Sequence, residues 1–481
     1  MTAVRGALTR MGGRLSALVL AGVTVATGLL PPRIRYGYVH RITGFLLRKP
    51  LPTVSAFGPA PSSRCADQVT PTGELTCVLA AGALDIGGIG TVVEQLASSL
   101  PALGITPVVC CSDDGARARR LRDRGIDVRT VTDSPSALRV LRELRPDVIQ
   151  LHGAPAFLEV AAQASHAPLV PVLHNTEIHY SRARWQRLSG VLAGSSSAVA
   201  VSELVRTFHT AHLPADLGAR VTVIPNAAPG RAAPDPQRRS DAREHVERAL
   251  GARFDRDILF VALARYDAQK NIAGTVATFL AGVSAGVPAR LVVAGEPSDW
   301  VEFRRADAIR RGSRNAHRVH LLSTSDARTL LDAADAFVLN SFFEGWPVAA
   351  TEAWAAGLPL ILSDVGGARE LVSRDPGRSI LVANETGEAS AVTDARVERA
   401  RWRARHQHNS AELADAFRCV VDTVRRERAR AQEPRDRADG VDVMIGLHAS
   451  VLRHAAHTEP SGDPARTGRF PSDDVRGTVT T

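Results

Sequence analysis

Two carboxylates, Glu344 and Glu352, stand eight positions apart around a proline in NSFFEGWPVAATEAWAAGLP, Asn340 to Pro359. The apolar run AFVLNS ahead of them reads as a strand and FFEG as the loop at its carboxyl end. Pro347 suits the first turn of the helix that follows, because the N–H it lacks would have had no intrahelical acceptor. Gly357 and Pro359 end that helix. The spacing puts Glu344 in a loop and Glu352 at least one turn into a helix, beside the first-turn amides of Val348 and Ala349. Amides at a helix start favour phosphate, and carboxylates accept strong hydrogen bonds from hydroxyls. A ligand carrying both phosphate and sugar or ribose hydroxyls is what this stretch would hold.

The same device recurs. SDVGGAREL places Gly366 and Gly367 between a strand and a helix start that contains Glu370. ILFVALARYDAQKN ends a strand with Arg265 and sets Lys270 just before another helix. Two cations five residues apart at one sheet edge could hold a diphosphate and stabilise its charge as it leaves. ALDIGGIGTVVEQL puts Gly87, Gly88 and Gly90 at a strand-to-helix turn, where backbone amides can approach a phosphate or sugar closely. Each piece alone also has a purely structural reading. A G-G-x-G turn serves tight strand–helix packing, Arg265 and Lys270 read as solvated charges, and His174 in LVPVLHNTE reads as a hydrogen-bonded strand-end histidine. Asp255 and Asp257 precede their strand, so they read as a turn and not a metal pair. The joint placement of the other features at strand ends, in order, separates function from packing.

The elements that must position these residues follow from the periodicity. From Glu74 onward, short β-branched runs alternate with helical stretches. LTCVLAAG, ITPVVCC, IDVRTV, PDVIQLH, LVPVLH and AVAVS read as strands of one unit. IPNAAPGRAAPDPQRRSD, Ile224 to Asp241, breaks the rhythm as a linker, and ILFVALAR, RLVVAGE, VHLLS, AFVLNS, LPLILSD and SILVA resume it. The expected fold is α/β, with two doubly wound parallel-sheet (Rossmann-like) domains facing across a cleft. The expected division is an N-terminal extension over 1–72, a first domain over 73–225 and a second over 226–395. Helices over 396–435 and a largely disordered tail over 436–481 complete it. Ligands of open parallel sheets bind outside the strands' carboxyl ends, so the chemistry belongs in that cleft.

A chain of 481 residues exceeds one core, and 44% hydrophobic with 23% charged residues is ordinary for a globular protein. The net charge of +9 is carried by arginine, since only Lys49 and Lys270 are lysines among 59 cations. The arginines are scattered and aromatics make up only 5%, which excludes the focused, ring-interleaved patch of a nucleic-acid binder. Five cysteines without C-x-x-C spacing give no disulfide framework or zinc site, and fit a reducing, cytoplasmic location. LSALVLAGVTVATGLL, Leu15 to Leu30, is a sixteen-residue apolar run after Arg5, Arg10 and Arg14. It is shorter than the ~20 residues of a spanning helix. It reads as a membrane anchor or interfacial helix, with the remainder at the inner face of the plasma membrane. A mis-assigned start is the alternative.

Taken together, these residues resemble the retaining glycosyltransferases of the GT-B fold, family 4 or group 1 type. The resemblance runs from about Glu74 to Ala431 and is carried by the E-x7-E motif, Glu344 to Glu352, with GGIG, RPDVIQLHG, LHN, VSELV, VIPN, ARYDAQKN and GGARELV in support. It implies a nucleotide-sugar donor, a glycan or lipid-linked acceptor and no metal or other cofactor. By that similarity Arg265 and Lys270 bind the donor diphosphate, Glu352 the ribose and Glu344 the sugar. Gly345, Trp346, Pro347 and Val348 line the donor, Gly87, Gly88 and Gly90 sit beneath its diphosphate, and His174 approaches the sugar from the first domain. The resemblance also implies that the late helix SAELADAFRCVVDTVRRERARA crosses back onto the first domain. Where the family often has G-x-G, this chain has AGEPSDW, and the apolar run at 15–30 lies outside the pattern.

Other readings compete. A glycosidase also uses two carboxylates, held ~5–9 Å apart, but has no use for cations and helix starts gathered for phosphate. A nucleotide-sugar epimerase shares the architecture, and a catalytically silent nucleotide-sugar-binding or scaffold protein would bind donor without turnover.

Overall fold

The computed structural model describes residues 2–30, 34–35, 39–57, 75–85, 87–229, 233–254, 256–429 and 440–458 of the chain. Two wholly parallel sheets form its core. The first comprises β1 (Leu75–Ala81), β2 (Ile105–Cys111), β3 (Asp127–Thr130), β4 (Val148–His152), β5 (Leu169–Leu173), β6 (Ala198–Ala200) and β7 (Val221–Val223), in the order β3-β2-β1-β4-β5-β6-β7. The second comprises β8 (Ile258–Leu263), β9 (Ala289–Ala294), β10 (Val319–Leu322), β11 (Ala336–Leu339), β12 (Leu360–Ser363) and β13 (Ile380–Val382), in the order β10-β9-β8-β11-β12-β13.

Both sheets are doubly wound. The chain moves outward from the first strand of each domain, then returns to that strand's other side. β1 pairs with β2 and β4, matching Leu79 to Val109 and Gln150, and β8 likewise pairs with β9 and β11. The order therefore reverses between β1 and β4, and again between β8 and β11. Crevices for ligands open at such switch points. Strands covered by helices on both faces need continuous apolar runs, and β4, β5, β9 and β11 are buried at every position.

Twelve of these strands lie where the sequence patterns place them. The thirteenth, β7, sits within RVTVIPN, where an exposed Thr222 interrupts the apolar run that marks most of the other strands. The linker is also shorter than expected, because Asp235 accepts from the Arg238 amide and starts the helix Pro236–Leu250, whose Ala242 and Val246 join the second core.

Two expectations about the chain's end need correction. The helix Ser410–Ala429 does not cross to the first domain. Its Leu413, Phe417, Val420 and Val424 pack into the second core, where Phe417 meets Phe260 and Phe279 edge-on. The crossing element is the helix Val441–His457, inside the segment expected to be disordered. Its Met444, Ile445, Ala449 and Leu452 enter the first core. The apolar spacing at 441, 444, 445, 449, 452 and 455 is helical, and a charged stretch before it hides the signal. Residues 430–439 and 459–481 lie outside the described residues, as does Cys65.

The N-terminal extension belongs spatially to the second domain. Val54 is buried in that core and exchanges hydrogen bonds with Ser325 and Asp326. The apolar run at 15–30 forms part of a longer helix, Thr2–Gly28, followed by a second, His40–Leu47. Thr9–Gly28 is long and apolar enough to cross a membrane by length and composition.

Candidate active site

The carboxyl ends of both sheets face a shared cavity of about 570 Å³, lined by Gly87, Gly88, His174, Arg265, Lys270, Glu344 to Val348 and Glu352. Of the residues singled out from the sequence, Gly90 stays out of its wall, packed under the turn against the Leu84 carbonyl, and so do Gly366, Gly367 and Glu370. Arg265 and Lys270 follow β8, and Glu344 follows β11, on the two sides of the second sheet's switch point.

The loop from Arg265 to Asn271 is built around a half-buried acid. Asp267 Oδ1 accepts from the amides of Gln269 at 3.0 Å and Lys270 at 3.1 Å, while Oδ2 meets Arg265 at 3.1 Å. Burial raises the Asp267 pKa against the pull of Arg265 and Lys270. Lys270 Nζ lies 2.5 Å from Glu344 Oε1, and Gln269 donates to Glu344 Oε2 at 3.3 Å and the Phe343 carbonyl at 2.8 Å. Glu344 is 5% exposed, so among the described residues a desolvated carboxylate is balanced here by a single ammonium and one amide.

The helix Val348–Ala355 begins beside this pair with Pro347 as its cap, one position earlier than the first-turn placement expected. The Pro347 carbonyl accepts from Ala350 and Thr351, and the Val348 amide is taken by the Trp346 carbonyl at 2.9 Å. Of the two amides expected at this end, Val348's is thus engaged internally. Trp346 is mainly structural: its indole donates to Thr351 at 2.8 Å and lies under the Arg374 guanidinium.

Close approach of backbones closes the cleft. A Cβ on Gly345 would overlap the His174 carbonyl oxygen, so only glycine lets this loop touch the first domain. Across the same gap, a Cβ on Gly88 would come within 2.8 Å of Val348 Cγ2. Glu370, in the second glycine turn, reaches over to accept the Glu203 amide at 3.0 Å, capping the helix Glu203–Thr210 of the other domain. Its carboxylate clasps the domains together.

His174 terminates a buried chain of rings. Its Nε2 lies 3.0 Å from His152 Nδ1, His152 Nε2 lies 3.0 Å from Gln150 Oε1, and Gln150 Nε2 lies 2.9 Å from His448 Nδ1. Burial pushes the His174 pKa down to about 3 and His448 to about 4, and holds His152 well below its usual value. The rings are therefore neutral near pH 7. With the Gln150 amide in this orientation, His152 donates to it through Nε2–H and accepts from His174 Nε2–H. That leaves His174 Nδ1 with its lone pair.

Several wall residues escaped sequence reasoning. Glu177, from the same LHNTE stretch as His174, is buried enough for its pKa to rise to about 7. Its neighbour Arg184 is held by Glu159 at 2.7 Å and 2.8 Å. Asn226, in VIPN, is 3% exposed, and its side-chain oxygen has no partner among the described groups. Arg117 sits under the glycine turn, 3.2 Å from Glu94, within the electrostatic reach of Glu352. Arginines are so common here that nothing in the sequence singles it out. Asp257 is held by Arg290 at 3.0 Å and Arg318 at 2.8 Å, and Asp255 lies outside the described residues.

Residues 86–229 match the model "Glycosyltransferase Family 4" and residues 255–397 match "Glycosyl transferases group 1". The chain is 25% identical over 274 residues to the teichuronic acid biosynthesis glycosyltransferase TuaC of Bacillus subtilis strain 168, covering 53% of this chain and 62% of that protein. It is 27% identical over 266 residues to the GDP-mannose:cellobiosyl-diphosphopolyprenol alpha-mannosyltransferase of Xanthomonas campestris, covering 54% and 66%. The chain thus spans under two thirds of these relatives' lengths. Anabaena HepE, crystallised with UDP-glucose, superposes with a TM-score of 0.55 at 19% identity, over 74% of this chain and 99% of that one. Two parallel sheets facing one cleft, each overlapping a domain similar to those of known glycosyltransferases and in the expected order, give this chain the GT-B fold.

Proposed function

We propose that the chain is a retaining glycosyltransferase that moves a hexose from a nucleoside-diphosphate sugar to a lipid-linked, polysaccharide or small-molecule acceptor. The observation that carries this reading is the convergence of Arg265, Lys270 and Glu344 at the second domain's switch point, opposite Gly87 and Gly88. The UDP-glucose in HepE, and the diphosphopolyprenol and teichuronic acid in the relatives' names, support the donor and acceptor classes.

In this reading Lys270 and Arg265 take the diphosphate, and their charge stabilises it as it departs. They supply the cationic charge that a metal would otherwise bring, so no metal or other cofactor is assigned. Glu344 exchanges its ammonium partner for donor-sugar hydroxyls, and Glu352 accepts from the ribose. His174 offers Nδ1 to a sugar hydroxyl from the opposite wall. The acceptor oxygen bonds to the anomeric carbon on the face from which the phosphate oxygen leaves. That phosphate oxygen takes the acceptor's proton, and the nucleoside diphosphate is released.

The test is proton NMR of the sugar freshly released when water replaces the acceptor. Retention gives the donor's anomer before mutarotation. The opposite anomer would overturn the retaining assignment, and donor binding without any release would favour a silent binding protein.

A further inference from the structure

The N-terminal extension carries features that the transferase reading does not use. In the helix Thr2–Gly28, Met11, Leu15, Leu18, Val25 and Leu29 just beyond its end recur at helical spacing and form one stripe. Met11, Leu15, Leu18 and Leu29 are each about two-thirds exposed or more. The opposite side is packed: Thr24 is buried, and a Cβ on Gly13 would come within 2.7 Å of the Gly312 amide nitrogen at the end of the helix Trp300–Arg311. The second helix, His40–Leu47, leans on that same helix and exposes Ile42, Phe45 and Leu46. Phe45 is 88% exposed.

We propose that these two helices form a docking surface that lies in the plane of an anionic lipid bilayer, with the second domain behind it. The charge argues for the lipid. The first 66 residues contain no Asp or Glu, and Arg14, Arg41 and Arg48 are exposed beside the apolar residues. Apolar insertion combined with basic flanks is the pattern of an interfacial helix on acidic headgroups.

The packing argues for an in-plane pose and against a span. Arg35 donates to the carbonyls of Gly28 and Leu30, each at 2.9 Å, capping the first helix, and pairs with Glu398 at 2.7 Å and Asp394 at 3.1 Å. Glu398 meets Arg401, which meets Glu302 at 2.6 Å, while Lys49 pairs with Asp307 at 2.9 Å and Arg304 donates to the Leu47 carbonyl at 2.8 Å. A helix docked on this network cannot cross hydrocarbon without drawing buried charges in with it.

The inference is independent of the catalytic reading. Flotation of the full chain with phosphatidylcholine vesicles, with and without about 30% phosphatidylglycerol, tests it. We expect at least about tenfold tighter binding to the anionic vesicles, and its loss in Leu18→Glu/Phe45→Glu, whose side chains are exposed. Alkaline carbonate should release the bound chain. Equal binding to both vesicles, undiminished binding of the variant, or resistance to carbonate would each overturn the proposal. So would a stable dimer, by light scattering, that the double variant splits. Nucleotide-induced thermal shifts should be unchanged in the variant, so their loss would signal misfolding.

Discussion

Lys270 Nζ lies 2.5 Å from Glu344 Oε1, so the group assigned to the departing diphosphate and the group assigned to the donor sugar hold one another. Removing the lysine alone strands a buried carboxylate, at about 3–5 kcal/mol for a fully buried pair. Lys270→Ala is therefore expected to lower Tm as well as cut turnover by ~10²–10³. Lys270→Met/Glu344→Gln should recover much of the Tm and none of the activity. Parallel recovery of both would remove Lys270 from catalysis and leave it a structural partner.

Glu352, one face of the helix behind the pair, is assigned to the ribose. Glu352→Gln keeps the shape and removes a charge-assisted hydrogen bond, so the KM for donor should rise about tenfold or more with kcat little changed. Steady-state kinetics with varied donor settle this. An unchanged KM removes the ribose role.

The ring chain makes a prediction about proton placement. In His174, the ¹⁵N spectrum should show a single neutral tautomer protonated at Nε2, and His448→Leu should mix the tautomers although it lies at the far end of the chain. A purely structural His448 would leave that spectrum alone.

The same rings set a pH dependence. His152, His174 and His448 all have pKa values depressed by burial, so the folded chain binds fewer protons than the unfolded one below about pH 6.5. Their contribution is intact above that pH and is lost as pH falls towards about 4. Denaturant titrations between pH 7.5 and 5 should show declining stability, with a shallower decline in His448→Gln. Identical slopes would show that His448 does not titrate on unfolding.

Gly345 touches the His174 carbonyl with no room for a methyl group. Gly345→Ala should hold the domains apart and misplace the reacting groups, lowering kcat/KM by ~10². Circular dichroism should stay unchanged, because neither sheet is touched. A fully active variant would show that catalysis does not need this contact.

Much of this was legible in the sequence because the signals were local. Buried parallel strands announce themselves as apolar runs, and the GWP turn fixes where Glu344 stands relative to its helix. What escaped depends on pairing across the fold. Nothing near Lys270 says that its partner is Glu344, 74 positions away. Glu370 reads as a site acid by its glycine turn, yet it serves the Glu203 amide of the other domain. The helix Val441–His457 has helical periodicity, but its destination depends on a first-domain surface built some 300 positions earlier, where His448 meets Gln150. Arg35 is one arginine among many until its partner acids, Asp394 and the buried Glu398, are brought to it.

The central claim is that the cleft clamps a nucleoside-diphosphate sugar through Lys270. It is tested most directly by thermal shift with UDP, GDP, ADP and their sugar conjugates, on the wild type and on Lys270→Met/Glu344→Gln. The account predicts selective stabilisation by one nucleotide family, about 2.7 kcal/mol at a hundredfold excess over Kd, and its loss in the double variant. No shift with any nucleotide, or the same shift in both proteins, would contradict it.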